Sequence, residues 1–476
     1  MGRPNVLVIL SDQLSQRAVG AYGNPDAPTP HLDALASRGV RFENAYTTCP
    51  LCCPARASFW TGRLPHETGV LSNGREWTVE PVGSDVATVG SIFAAGGYRA
   101  VHFGKTHDAG SLRGFEVADR GREVVEGPAA FPYNDDTFGD VSVMRQCLEF
   151  LRRPPRGPWL MVADLVNPHN ICGWIGANAG PEEQLAVAEP LPPLPGNFEV
   201  ADWTALPRPV QYVCCAHRRL MQAAHWSERQ YRQYLAAYYH YVGLLDRDVG
   251  RLLEALEATP EGRDTVVVFF ADHGEGMAAH RMVTKHTTLH EEVTRVPWIV
   301  AGPGVTARGP AAGSPLVSLL DLMPTLCDVA GLEAPNDVAG VSVAPYLSGG
   351  APARARESVV SEWHTEWGFT VEPGRMFRTA RHKYIRYVEG DGEELYNLES
   401  DPGETRNLAA DGAHVEELAR HRALLERHLE STGDPFLSMG IRADARWRSH
   451  APGYPNHEGP CAPTAAGVSA GAAGRT

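Results

Sequence analysis

Three features of this chain predict an α/β fold, with a large, mostly parallel sheet flanked by helices and a smaller C-terminal α+β subdomain. Short β-rich apolar runs alternate with helical patterns, the runs end in polar residues, and the texture of the chain changes after Pro345. The runs are Asn5–Leu10, Tyr98–Phe103, Trp159–Val166, Thr265–Phe270 and Val296–Val300. They are continuously apolar rather than alternating, as strands buried on both faces are. Helical patterns fall between them at His31–Arg38, Ala87–Ala95, Phe138–Leu151 and Glu228–Leu256. Strands alternating with helices imply a parallel sheet covered on both sides.

Ligands of such sheets collect at the carboxyl ends of the strands, and Asp12, Lys105, His169 and Asp272 each fall just after a run. Ile171–Leu206 reads differently. Gly173, Gly176, Gly180 and the segment Pro190-Leu191-Pro192-Pro193-Leu194-Pro195 make it a long irregular excursion, expected to line a pocket. Within it, Trp174 and Trp203 either stack on a ligand ring or belong to the core. Beyond Pro345, β-like segments at Ser358–Ser361 and Met376–Tyr387 precede a helix over Val415–Leu429. The expected division is therefore a main domain over 1–345, a subdomain over 346–452 and a disordered tail over 453–476, rich in Pro, Gly, Ala and Ser.

With 476 residues and an apolar share of 43% the chain can bury a substantial core. A formal charge of −14 without a lysine and arginine block argues against a nucleic-acid partner, though not against local anion binding. The N-terminus lacks a secretory pattern and no run approaches a membrane span. Nine cysteines, an odd number, do not read as a disulfide framework. The expected location is cytoplasmic. Cys49 and Cys52 match a C-x-x-C half-site, but no second half completes a zinc site.

The most informative stretch is Cys52-Cys53-Pro54-Ala55-Arg56 followed by Ala57-Ser58-Phe59-Trp60-Thr61-Gly62-Arg63. It resembles the signature of the type I sulfatases of the alkaline phosphatase superfamily, whose first cysteine is oxidised to formylglycine. The resemblance implies an alkaline phosphatase-like sheet and a formylglycine-generating enzyme as maturation partner. A hydrated aldehyde suits this chemistry because one hydroxyl can attack sulfur while the other later loses its proton and expels sulfate. Arg56, one helical turn beyond Cys52, would hold the diol and offset negative charge.

Asp12-Gln13 and Asp272-His273-Gly274 resemble the two halves of the family's metal site. Singly, a strand-end aspartate is a cap and Asp-His-Gly a turn. Many sulfatases carry a second aspartate and an asparagine where this chain has Gln13 and His273, and the combination resembles choline sulfatase-like and phosphonate monoester hydrolase branches. Asp12, Gln13, Cys52, Asp272 and His273 are thus the implied ligands of one divalent metal. One carboxylate fewer and one imidazole favour Mn²⁺, with Ca²⁺ or Mg²⁺ as alternatives.

Further matches follow in chain order. Gly104-Lys105-Thr106-His107 resembles the segment in which the lysine binds sulfuryl oxygens and the histidine is the base on the diol. His169 in Asn167-Pro168-His169 and Lys285 match residues beside the leaving-group oxygen, and Asn73 matches a substrate-binding position. Arg378, Lys383-Tyr384-Ile385, Glu394-Leu395-Tyr396-Asn397-Leu398 and Asn407-Leu408 resemble the family's C-terminal subdomain. The implied activity is hydrolysis of a small-molecule or carbohydrate sulfate ester. Two other readings stand beside it: a phosphonate or phosphodiester hydrolase, against which Lys105 and His107 speak, and a sulfated-ligand binding protein whose Cys52 is never oxidised. The alcohol and the oligomeric state are not legible.

Overall fold

The computed structural model describes residues 2–73, 81–118, 140–178, 189–202, 205–207, 209–210, 223, 226–285, 288–364, 373–388 and 392–438. Trp203 and the expected tail lie outside them. The main sheet has eight strands: β1 (Asn5–Asp12), β2 (Val40–Arg41), β4 (Arg99–Gly104), β5 (Glu116–Val117), β6 (Trp159–Pro168), β7 (Thr265–Ala271), β8 (Trp298–Ala301) and β9 (Gly309–Pro310). Their order is β5-β4-β6-β1-β7-β8-β2-β9. A two-stranded parallel pair joins β3 (Asn44–Tyr46) to β10 (Leu316–Ser318).

Strand β1 is buried along its whole length and lies parallel between β6 and β7, with Val6 opposite Leu160 and Val266. The parallel core puts the carboxyl ends of β1, β4, β6 and β7 on one edge of the sheet. Strand β8, by contrast, runs antiparallel to β7. Among its described residues the connection between these two carries single helical turns at Ala279–Arg281 and Glu291–Thr294 and no crossover helix that would return the chain to the start of the sheet. The helices Asp140–Arg152 and Glu228–Glu257 fall where their apolar patterns predict.

The excursion after β6 is more ordered at its start than its glycines predict. Ile171–Ala177 is a helix, with Ile171, Trp174 and Ile175 buried at helical spacing. Trp174 is core: its ring packs edge-on against Trp226, centroids 6.1 Å apart. The second sheet is antiparallel in the order β11 (Val359–Trp363), β12 (Gly374–Arg378), β13 (His382–Tyr387), β14 (Glu393–Asn397). Phe377, Tyr384 and Leu395 on its strands pack with Leu418, Leu425 and Leu429 of the helix Val415–Thr432 in a second apolar cluster.

Candidate active site

Cys52 is the first residue of the helix Cys52–Thr61, all ten of whose residues are buried. The helix opens without a side-chain cap and ends at Gly62, whose φ of 69° closes it through a bond to the Ser58 carbonyl at 2.8 Å. This explains two parts of the sequence pattern. Gly62 supplies the left-handed stop, and Cys52 sits where the helix dipole favours an anion. Around its Sγ stand Lys285 Nζ at 2.9 Å, His273 Nε2 at 3.2 Å and Asp12 Oδ1 at 3.7 Å. Burial opposes ionisation of this thiol, but Lys105, Lys285 and His273 outweigh it and hold its pKa well below the ordinary value.

Asp12 ends β1 and Asp272 follows β7, the neighbouring strand. Asp12, Cys52, Asp272 and His273 offer ligand atoms all within 4.8 Å of one another. The Asp272 carboxyl is pushed up by burial and by the charge of Asp12. Asp12 itself is held low: burial and Cys52 raise it, and Lys105, His169 and Lys285 more than reverse that. Two crowded carboxylates beside an imidazole and a thiolate are a donor set that a divalent cation fits. Gln13 stands next to them with φ of 67°, and its backbone N–H donates to Asp272 Oδ1 at 3.1 Å. Its side-chain amide donates to Glu275 and, at 3.2 Å, to Cys172 Sγ.

Arg56 reaches the facing carboxylates. Its Nε donates to Asp272 Oδ2 at 2.9 Å, Nη1 to Asp164 Oδ2 at 2.6 Å and Nη2 to Asp12 Oδ2 at 3.2 Å. The buried guanidinium thus balances the charge of three carboxylates. Lys105 follows Gly104, whose φ is 118° and whose missing Cβ would lie 2.0 Å from the Asp164 carbonyl. Only glycine permits that approach, and it brings Lys105 Nζ onto Asp12. The ammonium is disfavoured by burial, yet Asp12 and Cys52 raise its pKa.

Asn73 acts differently from a residue aimed at a ligand. Its Oδ1 accepts from Cys53 N at 2.9 Å and its backbone carbonyl meets His107 Nε2 at 3.1 Å, so it ties His107 to the start of the helix. His107 is also among the groups that favour the ionised form of Cys52. His169, half-buried just after β6, is kept neutral by burial and by Lys285, with Asp12 pulling the other way. Lys285 is buried; desolvation lowers its pKa, and Cys52 and Asp12 raise it above the ordinary value.

Sequence reasoning missed Asp164, His102 and Glu275. Asp164 is a fully buried carboxylate within the apolar run of β6, an anomaly that could have drawn notice. Glu275 accepts from Tyr234 Oη, Gln13 Nε2 and the backbone of Thr284, and so ties β1 to the loop that carries Lys285.

The sulfatase family model matches residues 4–332, and the model of the N-sulphoglucosamine sulphohydrolase C-terminal region matches residues 279–431. The chain is 49% identical to a Delta 4,5-hexuronate-2-O-sulfatase of Bacteroides thetaiotaomicron, over 96% of this chain and 95% of that one. It is 30% identical to a choline-sulfatase of Rhizobium meliloti, over 86% and 83%. The solved structure of a 2-O GAG sulfatase superposes with a TM-score of 0.90 at 49% identity, covering 97% and 99%. A phosphonate monoester hydrolase of Agrobacterium radiobacter shares the fold, with a TM-score of 0.71 at 22% identity over 92% and 97%. The ring of cations around residue 52, the facing carboxylates and a match over most of its length lead to one assignment: this chain belongs to the sulfatase family and hydrolyses sulfate esters.

Proposed function

We propose that this enzyme removes the 2-O-sulfate of a Δ4,5-unsaturated hexuronate, using a formylglycine made from Cys52 and one divalent metal held by Asp12, Gln13, Asp272 and His273. The observation that carries the substrate is 49% identity, over 96% of the chain, to a relative with that printed specificity. Support for the chemistry comes from the surroundings of Cys52, where two lysines, a histidine and two carboxylates converge on one buried side chain. The aldehyde hydrate supplies the attacking oxygen and the second hydroxyl through which sulfate leaves; the metal supplies positive charge.

The chain's own residues do the rest. Lys105 and Lys285, both cationic at neutral pH, hold the sulfuryl oxygens and neutralise charge that grows toward the transition state. Arg56 bridges Asp12 and Asp272 and fixes how their carboxylates are turned. His107, braced by Asn73 and acting on residue 52, receives the proton that residue 52 must lose. His169 and Lys285 stabilise the departing alcohol oxygen.

A direct test compares unsaturated uronate disaccharides sulfated at O2 with 6-O- and N-sulfated ones, an aryl sulfate and a phosphonate ester. The same preparation is digested and the mass of the residue-52 peptide read. Preference for the 2-O-sulfate together with an aldehyde at residue 52 is expected. Equal rates on all sulfated sugars would reject the substrate, and full activity with an unmodified cysteine would reject the nucleophile.

A further inference from the structure

Arg56 is clasped by three carboxylates, and only two of them belong to the set that faces residue 52. The third, Asp164, sits on β6 and is fully buried. One of its oxygens, Oδ2, takes Arg56 Nη1 at 2.6 Å, the shortest of the three bonds to that guanidinium, and also meets His102 Nε2 at 3.1 Å. His102 lies on β4, opposite Val162 in register and two residues before Gly104. It too is fully buried. Asp164 Oδ1 and His102 Nδ1 have no hydrogen-bond partner among the described residues. Both groups are thus taken out of water with one polar atom each left without a partner, and a buried carboxylate and imidazole are costly to keep on those terms.

What the pair achieves follows from the oxygens. Asp12 and Asp272 each present Oδ2 to Arg56, while their Oδ1 atoms face Cys52, Gln13 and His273. The direction of both Oδ1 atoms therefore depends on where the guanidinium lies, and Asp164 is what holds its far end. The backbone of residue 164 adds a second constraint: its carbonyl abuts Gly104 and accepts from Lys105 N at 3.3 Å. We propose that Asp164, oriented by His102, is a positioning residue for the metal centre. It anchors Arg56 so that Asp12 and Asp272 turn their free oxygens toward a cation, and it offsets the guanidinium charge that would otherwise compete with that cation.

This inference rests on the proposed metal site, so the test first measures wild-type Mn²⁺ binding by electron paramagnetic resonance titration, then that of Asp164→Asn. Groups that orient metal ligands from behind typically contribute about 10- to 100-fold in metal affinity, and a rise of that size in the Mn²⁺ dissociation constant is expected for Asp164→Asn. Asp434→Asn is the control, since it removes a buried carboxylate bonded bidentately to Arg375 at 2.6 and 2.8 Å, within the antiparallel subdomain. It should lower thermal stability and leave the dissociation constant unchanged. Should Asp164→Asn not fold, His102→Phe carries the test, with a smaller rise in the same direction. Wild-type Mn²⁺ affinity in either variant overturns the inference while leaving the metal site intact; a wild-type chain that binds none of Mn²⁺, Ca²⁺ and Mg²⁺, the last two read by calorimetry, overturns both.

Discussion

Lys285→Met is the sharpest perturbation of the reaction, because it deletes one charge while keeping most of the volume of a buried side chain. Lys285 Nζ lies 2.9 Å from Cys52 Sγ, the position from which residue 52 attacks. At an effective dielectric of about 20, unit charges that close interact by roughly 6 kcal/mol before any desolvation is subtracted. Desolvation is substantial here, since burial is the largest single influence on this lysine. Measured losses of one preorganised donor in comparable sites are about 3–4 kcal/mol, which sets an expected fall in kcat/KM of about 10²- to 10³-fold. Stability should change far less, because methionine keeps most of the buried packing of the lysine stem. Nor should the pH profile move near neutrality: the pKa of Lys285 is raised above its ordinary 10.5. Its stabilising charge is therefore complete through the neutral range and lost only as pH rises through that higher value. The assay is kcat/KM on a 2-O-sulfated uronate and on an aryl sulfate, with thermal unfolding of both proteins. A loss under about fivefold in a fully folded variant would refute the placement of Lys285 on the reacting group.

Three further outcomes are expected. His169→Ala should slow a sugar sulfate more than an activated aryl sulfate, whereas His107→Ala should give one rapid equivalent of alcohol followed by slow turnover; rapid-quench measurements separate the two, and equal losses on both substrates without a burst would reject this division of roles. Asp272→Ala should lose bound metal and activity together, as should chelation, and full activity in metal-free protein would count against the ligand set. His66 is bound by Glu362 and Asp434, and although burial lowers its pKa these partners raise it to about 9. Its contribution, about 3 kcal/mol by linkage, is then complete below the ordinary value of 6.5 and lost as pH rises toward about 9. In urea titrations His66→Gln should flatten that alkaline decline, and an unchanged slope would show that His66 does not titrate there.

Much of the architecture was legible because burial on both faces leaves a continuous apolar run, and Asn5–Leu10, Trp159–Val166 and Thr265–Phe270 all became central strands. Strand direction was less so. Val296–Val300 has the texture of its neighbours, yet β8 runs the other way, because direction is decided by the connection rather than by the strand. The helix Ile171–Ala177 was obscured by Gly173 and Gly176, which lower helix propensity without preventing a helix whose apolar face is fully buried. Strand β14 was read only as a family motif, although Glu394 to Tyr396 are buried within it.

The site divides along a physical line. A change of pattern marks strand ends, and Asp12, Lys105, His169 and Asp272 were readable for that reason; Cys52, His107, His273 and Lys285 were legible only through their resemblance to family motifs. Residues that hold those groups in place have no such mark, because they are chosen by what faces them across the sheet. Arg56 shows the difference within one side chain. Its position one turn after Cys52 was plain, but its work is set by Asp12, Asp164 and Asp272, which come from three strands between 108 and 216 residues away in two of the three cases. A guanidinium has five N–H donors, and three carboxylates take one from each of its nitrogens, so most of its charge is spent on them. Lys105 and Lys285 are the cations that act most strongly on residue 52. Substitution of either lysine should therefore cost the reaction directly.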